Sequence, residues 1–376
     1  MRIAIFAEFF LPKIDGVVTR TLNTVRCLKQ MGDEVLIFAA NSEITEYYGA
    51  PIFGLTSIPF ELYPGYKMAL PLPTIKNKLK EFNPDVIFVI CPLCLGLGGI
   101  YYAKKMKIPL VISHNTNWAL YAKLNGMQWL EKPAWKILSY IYKQGTLIVT
   151  VSQHTLNELK NIGLKSIYLW QSGVSQSFLE NKSSKKMRTN LSKGDIKKPL
   201  MLFVGRLSPE KNIAFIAKIL KGIPEANLAI VGDGPERANL QKIFPENRTR
   251  FMGYLHGEEL AASYTSADVF IFPSEFETLG NVVLEAMASR CPVVACRAGG
   301  VQNIIKNNQT GLLFNPGDVQ EAIEATKKVL FEDDKRAEMI FNARKFTETL
   351  TWENATIKLK ETLEIAINSR QHPALK

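Results

Sequence analysis

Residues 200–212 read Leu200-Met201-Leu202-Phe203-Val204-Gly205-Arg206-Leu207-Ser208-Pro209-Glu210-Lys211-Asn212. A short apolar run ends at a glycine, and a polar loop then opens into a helical pattern. An unbroken apolar run suits a strand buried on both faces, and such strands belong to parallel sheets. The unit recurs along the chain. In the second half the runs are Leu200–Gly205, Asn227–Val231, Arg250–Met252, Val269–Phe272, Pro292–Ala295 and Gly311–Phe314. In the first half they are Ile3–Ala7, Glu34–Phe38, Val86–Ile90, Leu110–Ser113, Thr146–Val151 and Ser166–Trp170. Helix-length amphipathic stretches separate them. This alternation predicts an α/β fold with parallel sheets and crossover helices.

The expected architecture is two doubly wound, Rossmann-like domains facing a cleft. Residues 1–180 form the first and 199–350 the second, and the polar, Lys-rich stretch 181–198 reads as the linker. The last helical pattern, Glu353–Ser369 within 351–376, is expected to pack back across the junction. In doubly wound sheets ligands sit at the carboxyl ends of strands, near a topological switch point. The cleft is therefore the expected site, and the strand-to-helix loops are where its chemistry should be sought.

Composition narrows the class. The chain has 376 residues, 47% apolar and 22% charged, which suits a globular protein with a sizeable core and excludes general disorder. Its 24 Gly have no period, and five Cys are too few for a disulfide scaffold. The odd Cys count, and a first segment that opens directly on the strand-like run Arg2–Ala7, favour a reducing compartment. Cys91-Pro92-Leu93-Cys94 lacks a second pair at zinc spacing, and Cys291 and Cys296 flank an apolar strand. These read as buried thiols, and no metal site is expected. Val86–Ala103 is uncharged, but its β-branched start and Pro92 make it a strand, a turn and a helix from near Leu95, not a membrane span.

The net charge of +11 is uneven. Residues 1–194 carry 23 Lys+Arg against 12 Asp+Glu, whereas 195–376 carry 23 of each. A basic half implies an anionic partner, namely a lipid surface, an acidic substrate or nucleic acid; the alternative is a solvated lysine face. Nucleic acid is disfavoured, because the basic residues show no aromatic interleaving and no known module. Trp118, Trp129 and Trp135 read either as core or as part of an interfacial helix. His154 and His372 read as surface residues, and His256 as a loop residue with no evident partner.

Three loops carry the candidate chemistry. After the first strand, Gly16 precedes a helix beginning near Val17, where backbone N–H groups could approach an anion; a simple turn is the alternative. After Leu200–Gly205, Arg206 and Lys211 flank the start of a helix, as a diphosphate would require. In Pro273–Ala288, Glu277 lies in a loop and Glu285 within the following helix. The N–H groups around Leu279, Gly280 and Asn281 stand at the start of that helix, ready for a phosphate. Glu285 is embedded among Val282, Val283, Leu284, Ala286 and Met287, and a carboxylate on an apolar stretch is rarely idle.

Together, Glu277…Glu285, Gly205-Arg206…Lys211, Val231-Gly232-Asp233-Gly234-Pro235 and Ala298-Gly299-Gly300 resemble the retaining glycosyltransferases of GT-B fold, which use nucleotide sugars without a metal. The resemblance implies that Glu285 holds the ribose, Glu277 the donor sugar, and Arg206 with Lys211 the diphosphate. It makes the first domain the acceptor side. Asp15-Gly16-Val17-Val18-Thr19-Arg20, Leu62-Tyr63-Pro64 with Lys67-Met68-Ala69-Leu70-Pro71, Leu95-Gly96-Leu97-Gly98-Gly99 and Gly253-Tyr254-Leu255 with Gly257-Glu258-Glu259-Leu260 are similar to the sulfolipid synthases. That similarity implies transfer of sulfoquinovose from UDP-sulfoquinovose to diacylglycerol at an anionic photosynthetic membrane. The enzyme would be peripheral, on the cytoplasmic face of a thylakoid or plasma membrane, with Arg20 and Lys67 as candidates for reading the sulfonate.

The chain departs from that pattern at His114-Asn115-Thr116-Asn117, where relatives carry Tyr-His-Thr-His. Asn115 then stands near the reacting sugar as a hydrogen-bonding positioner that cannot titrate near neutral pH. Ser175 replaces the usual Asp of Gly-Val-Asp, and Gln302-Asn303 the usual Pro-Glu or Pro-Asp. The alternatives are a related transferase with another donor or acceptor, a sugar-nucleotide epimerase of the same fold, and a catalytically weak nucleotide-sugar-binding protein.

Overall fold

The computed structural model describes residues 1–12, 15–41, 43–59, 67–115, 129 and 131–371. Leu62-Tyr63-Pro64, Thr116-Asn117, Trp118 and His372 lie outside the described residues. The chain forms two compact units, Met1–Gly173 with Trp352–Lys376, and Val174–Thr351.

The N-terminal unit contains β1 (Arg2–Phe6), α1 (Gly16–Gln30), β2 (Glu34–Ala40), β3 (Glu46–Tyr47), β4 (Ala50–Leu55), β5 (Ser57–Pro59), β6 (Lys67–Ala69), α2 (Thr74–Phe82), β7 (Val86–Val89), α3 (Cys94–Lys105), β8 (Leu110–His114), α4 (Glu131–Tyr142), β9 (Leu147–Thr150), α5 (Gln153–Asn161) and β10 (Ile167–Leu169). Its main sheet runs β10-β9-β8-β7-β1-β2-β4-β3, parallel except for β3. The order reverses at β1 and β7, so the carboxyl ends of these two strands flank the switch point. All four residues of β7 are buried. Its apolar continuity reflects helices on both faces of the sheet.

The C-terminal unit contains α6 (Gln176–Glu180), α7 (Lys185–Leu191), β11 (Leu200–Val204), α8 (Ala214–Gly222), β12 (Asn227–Val231), α9 (Arg237–Ile243), β13 (Thr249–Gly253), α10 (Gly257–Thr265), β14 (Val269–Phe272), α11 (Asn281–Ala288), β15 (Val293–Cys296), α12 (Val301–Ile304), β16 (Leu312–Phe314), α13 (Val319–Phe331) and α14 (Asp333–Glu348). Its all-parallel sheet runs β13-β12-β11-β14-β15-β16. The switch point falls between β11 and β14, which sets the loop after Gly205 beside the loop after Phe272.

The last helix, α15 (Trp352–Gln371), belongs to the N-terminal unit. Leu359, Leu363 and Ala366 recur at helical spacing and bury one face in the cluster formed by Val18, Leu22 and Val25 of α1. Lys360 Nζ lies 2.8 Å from Asp33, a buried carboxylate that also takes the Met1 amino group at 2.8 Å.

The first crossing between units falls at Gly173–Val174, not within 181–198. The expected linker instead holds α7, whose Arg188 bonds Asp268 Oδ2 at 2.7 Å inside the C-terminal unit. Its lysines therefore belong to the second unit. Counted by unit, the N-terminal one carries 22 Lys+Arg against 14 Asp+Glu, and the C-terminal one 24 against 21. The basic excess still lies mainly in the first unit, but not all of it. Four of the five cysteines are buried, and Cys94 is half-buried. No helix among the described residues is long and apolar enough to cross a membrane.

Candidate active site

In the C-terminal unit four loops are stitched together at the carboxyl ends of the strands. Leu207 N–H donates to Asp233 O at 3.0 Å, and Glu236 N–H returns a bond to Leu207 O at 2.9 Å. This approach requires glycine: at Gly232, with φ +128°, a Cβ would stand 1.9 Å from Gly205 O. Ser274 Oγ donates to Glu210 O at 3.2 Å, and Asn212 Nδ2 to Glu275 Oε1 at 3.4 Å. Gly300 N–H donates to Glu277 O at 2.7 Å. Gly299, with φ +52°, would place a Cβ 2.3 Å from the same oxygen.

The stitching brings together two sequence candidates 66 residues apart. Lys211, on the 3-10 turn Pro209–Lys211, forms an ion pair with Glu277 Oε1. Both side chains are largely buried, which strengthens the attraction and fixes the geometry. Arg206 is half-buried at the start of the same loop. Gly280 adopts a left-handed φ of +96° and leads into Asn281, the first residue of α11. No side chain caps that helix N-terminus, so Leu279, Gly280 and Asn281 mark a place suited to an anion.

Glu285 points from α11 to Tyr264 of α10, whose hydroxyl donates to Glu285 Oε2 at 3.0 Å. Burial pushes the Glu285 carboxyl up to about 7, against the opposing effect of this bond. Tyr264 is wholly buried, packed edge-on to Phe178 and Phe270. Nothing in the sequence around Tyr264 marks it, because its role exists only through tertiary contact. His256, expected without a partner, stacks on Tyr254, which bonds Asp233 O at 3.1 Å.

The N-terminal unit departs further from expectation. Gly16 does open α1, but Asp15 Oδ1 accepts from Val17 N and Val18 N at 2.8 Å each. The helix thus supplies its own carboxylate to the donors that an anion was expected to meet. Asn115 is buried, with Nδ2 donating to Ile90 O at 2.9 Å and Oδ1 left without a partner. His114 points to the opposite side, its Nδ1 2.7 Å from Tyr142 Oη, and burial pushes it down to about 4. Trp135 is half-buried beside His114, whereas Trp129 is exposed.

Arg20 is no surface charge. It is 3% exposed, donates from Nη1 to Trp170 O at 2.8 Å and lies 5.1 Å from the Trp170 ring centroid. Lys67 is exposed on β6. Sequence reasoning missed Glu8, which follows β1 at the switch point. It is buried and accepts from Leu95 N at 2.6 Å, Gly96 N at 3.4 Å and Ala69 N at 3.3 Å. Burial raises it to about 7 despite these bonds. Its signal was available, since Glu8 is a lone carboxylate between the β1 run and Phe9-Phe10. Among the described residues no group of three or more His, Cys, Asp and Glu side chains could hold a metal ion.

Two Rossmann-like units, each with its polar loops at a switch point, define a GT-B fold. Residues 14–178 match the model "Glycosyltransferase Family 4" and residues 186–346 match "Glycosyl transferases group 1". The chain belongs to the group 1 glycosyltransferases and is a glycosyltransferase. It is 37% identical to sulfoquinovosyl transferase SQD2 of Arabidopsis thaliana, over 96% of this chain and 72% of that protein. It is 33% identical to a GDP-mannose-dependent alpha-mannosyltransferase of Corynebacterium glutamicum, over 94% and 86%. An alpha-monoglucosyldiacylglycerol synthase of Streptococcus pneumoniae is 28% identical, over 87% and 79%. The fold also matches the structure of Anabaena Alr3699/HepE in complex with UDP-glucose, with TM-score 0.80 at 19% identity, covering 97% of this chain and all of that one.

Proposed function

We propose that the protein transfers sulfoquinovose from UDP-sulfoquinovose to diacylglycerol with retention of configuration. The observation that carries this reading is the ion pair between Lys211 and Glu277. A donor sugar's hydroxyls and the phosphate on its anomeric carbon lie within a few ångströms of each other. Residues assigned to the two must therefore be neighbours, and these are. The donor would separate them: the diphosphate takes the ammonium, and a sugar hydroxyl donates to the carboxylate.

The bond from the anomeric carbon to the diphosphate breaks as a bond to the acceptor oxygen forms on the same face. The acceptor's proton passes to the leaving phosphate oxygen. Charge builds on that phosphate, where Arg206, Lys211 and the uncapped N-terminus of α11 oppose it with cations and dipoles fixed in advance. Glu285 accepts from the ribose hydroxyls, and Asn115 positions the acceptor. On this reading Arg206 and Lys211 neutralise the diphosphate without a metal ion, and turnover should persist in a chelator.

The acceptor is proposed to come from an anionic bilayer. Leu97 and Tyr101 of α3, and Ile137 and Tyr140 of α4, are exposed, with Lys104, Lys105, Lys132 and Lys136 among them. Lys104 bonds Gln144 just beyond α4, so the two helices share one apolar and basic surface. Such a surface suits peripheral binding, with rings in the interface and ammonium groups at acidic headgroups. It would place the enzyme on the cytoplasmic face of a thylakoid or plasma membrane.

The test is initial-rate transfer to diacylglycerol in mixed micelles with UDP-sulfoquinovose, UDP-glucose or GDP-mannose, products identified by mass. Preference for UDP-sulfoquinovose is expected. Preference for either other donor would refute the donor assignment, and donor binding without transfer would favour the binding-protein alternative.

A further inference from the structure

Arg20 is unusual for a buried arginine. Among the described residues its hydrogen bond is from Nη1 to the Trp170 carbonyl. Among the described residues no carboxylate pairs with it. Burial alone lowers its guanidinium to about 9, so it remains charged at neutral pH. A buried cation without a counter-charge is costly unless something completes it.

Two buried side-chain atoms in the same unit lack partners among the described residues. Trp170 Nε1 is buried and has no acceptor, although the guanidinium lies over the same indole. Ser113 Oγ is also buried and unpartnered. Ser113 lies two residues beyond Val111 on β8 and therefore shares its face of the sheet. Val111, Phe88, Ile90 and Trp170 pack in one core cluster on that face, under α1. Arg20 stands one turn into α1, near the carboxyl edge of the sheet.

We propose that Arg20, Trp170 and Ser113 form a buried site for one singly charged oxyanion on a substrate, which in the reaction proposed above is the sugar's sulfonate. The charges match: one guanidinium balances one negative charge. The indole N–H and the hydroxyl are neutral donors for the remaining oxygens. A neutral sugar in the same place would leave the cation unpaired, so the site discriminates against it as well as for the anion. The identity of the anion rests on the proposed donor; the site itself does not.

The experiment uses the full chain with Arg20→Met, Trp170→Phe and Ser113→Ala. Trp170→Phe keeps the ring and removes only the N–H. Thermal melts are recorded in sodium methanesulfonate and in sodium chloride at equal ionic strength, with the singly charged methanesulfonate as the probe. The ratio of kcat/KM for UDP-sulfoquinovose to that for UDP-glucose is measured alongside. Methanesulfonate should raise the Tm of the wild type more than that of any variant, because a ligand of the native state stabilises it. The ratio should fall about tenfold or more in Arg20→Met, as the loss of a charge-assisted bond implies. It should fall by a smaller factor in Trp170→Phe.

Equal methanesulfonate response in all four proteins, with an unchanged ratio, overturns the site. A wild type that prefers UDP-glucose, but whose methanesulfonate response is lost in Arg20→Met, upholds the site and refutes the donor. A wild type that prefers UDP-sulfoquinovose, with the ratio unchanged in Arg20→Met, does the reverse. If Arg20→Met does not fold, Trp170→Phe decides by the same two readouts.

Discussion

Replacing Tyr264 by Phe tests whether Glu285 works as an ionised carboxylate. The ring should stay in place, since its contacts with Phe178 and Phe270 do not involve the hydroxyl. What is lost is one hydrogen bond of 3.0 Å to Glu285 Oε2. That bond favours the charged carboxylate, while burial favours the neutral acid and holds the group at about 7. A hydrogen bond to a charged group contributes roughly 1.5–3 kcal/mol. Its removal should move the protonation midpoint up by about one pH unit or more, at about 1.4 kcal/mol per unit.

Near neutral pH the wild-type carboxylate is then about half ionised, and the variant mostly neutral. A neutral acid accepts ribose hydroxyls less well, so KM for the donor should rise several-fold at about pH 7 in Tyr264→Phe. The two proteins should converge above about pH 10, where both carboxylates are charged. The stability sign follows from the same value. Glu285 binds its proton more tightly folded than unfolded, so its contribution is greatest below 4.5 and is lost as pH rises through about 7. Initial rates across donor concentration and pH, with melts in the same buffers, read both effects. Parallel KM–pH curves for the two proteins would refute the reasoning, whatever the absolute activity.

Arg206→Ala should weaken UDP binding about tenfold or more in a calorimetric titration of the folded variant, since it removes a charge-assisted contact. Gly232→Ala should lower stability by at least about 1–3 kcal/mol in denaturant unfolding, because its Cβ would stand 1.9 Å from Gly205 O. Lys132, Lys136 and Lys143 all changed to Gln should reduce binding to anionic vesicles at low salt by about 1 kcal/mol per lysine, with little effect on neutral vesicles. Asn115→His should stay within about tenfold of wild-type turnover, whereas Asn115→Ala should cost more, because the Ile90 carbonyl loses its donor. A rise of several orders of magnitude in Asn115→His would instead mark the natural protein as a degraded enzyme.

The strands on either side of both switch points were legible because each is a short apolar run that only a doubly covered sheet can bury. The segment 46–69 was not. Its strands are brief edge or ribbon pieces, with Pro51, Gly54 and Pro59 and alternating exposure, so no continuous run announces them. The misreading of 181–198 has a related cause. A surface helix and a linker can share a Lys-rich composition, and α7 is held by two side chains: Leu191 is buried and Arg188 reaches Asp268. In the donor loops, side-chain chemistry and chain position agreed, and the contact between Lys211 and Glu277 followed. Around α1 they did not. Gly16 and Arg20 carried the right chemistry, but Asp15, a common N-cap residue type, takes the helix donors, and Arg20 turns inward onto Trp170 through a contact 150 residues away in the chain.

The two units differ in a way that bears on specificity. Among the described residues eight buried side-chain atoms lack partners, and six of them lie in the N-terminal unit. Four of those six, on Ser113, His114, Asn115 and Trp170, cluster by sequence at the carboxyl ends of β8 and β10. The C-terminal loops, by contrast, pair their own charged and polar groups, with Lys211 on Glu277 and Tyr264 on Glu285. A site whose charges already pair loses little when the ligand is absent, and exchanges one set of partners for another when it binds. Such a site can accept a common nucleotide diphosphate without selecting finely among sugars. A site with unpaired buried donors behaves differently: a ligand that fails to complete it leaves those groups desolvated, and rejection follows from that cost. Discrimination between sugars should therefore arise chiefly in the N-terminal unit, and substitutions there should alter donor preference more than nucleotide affinity.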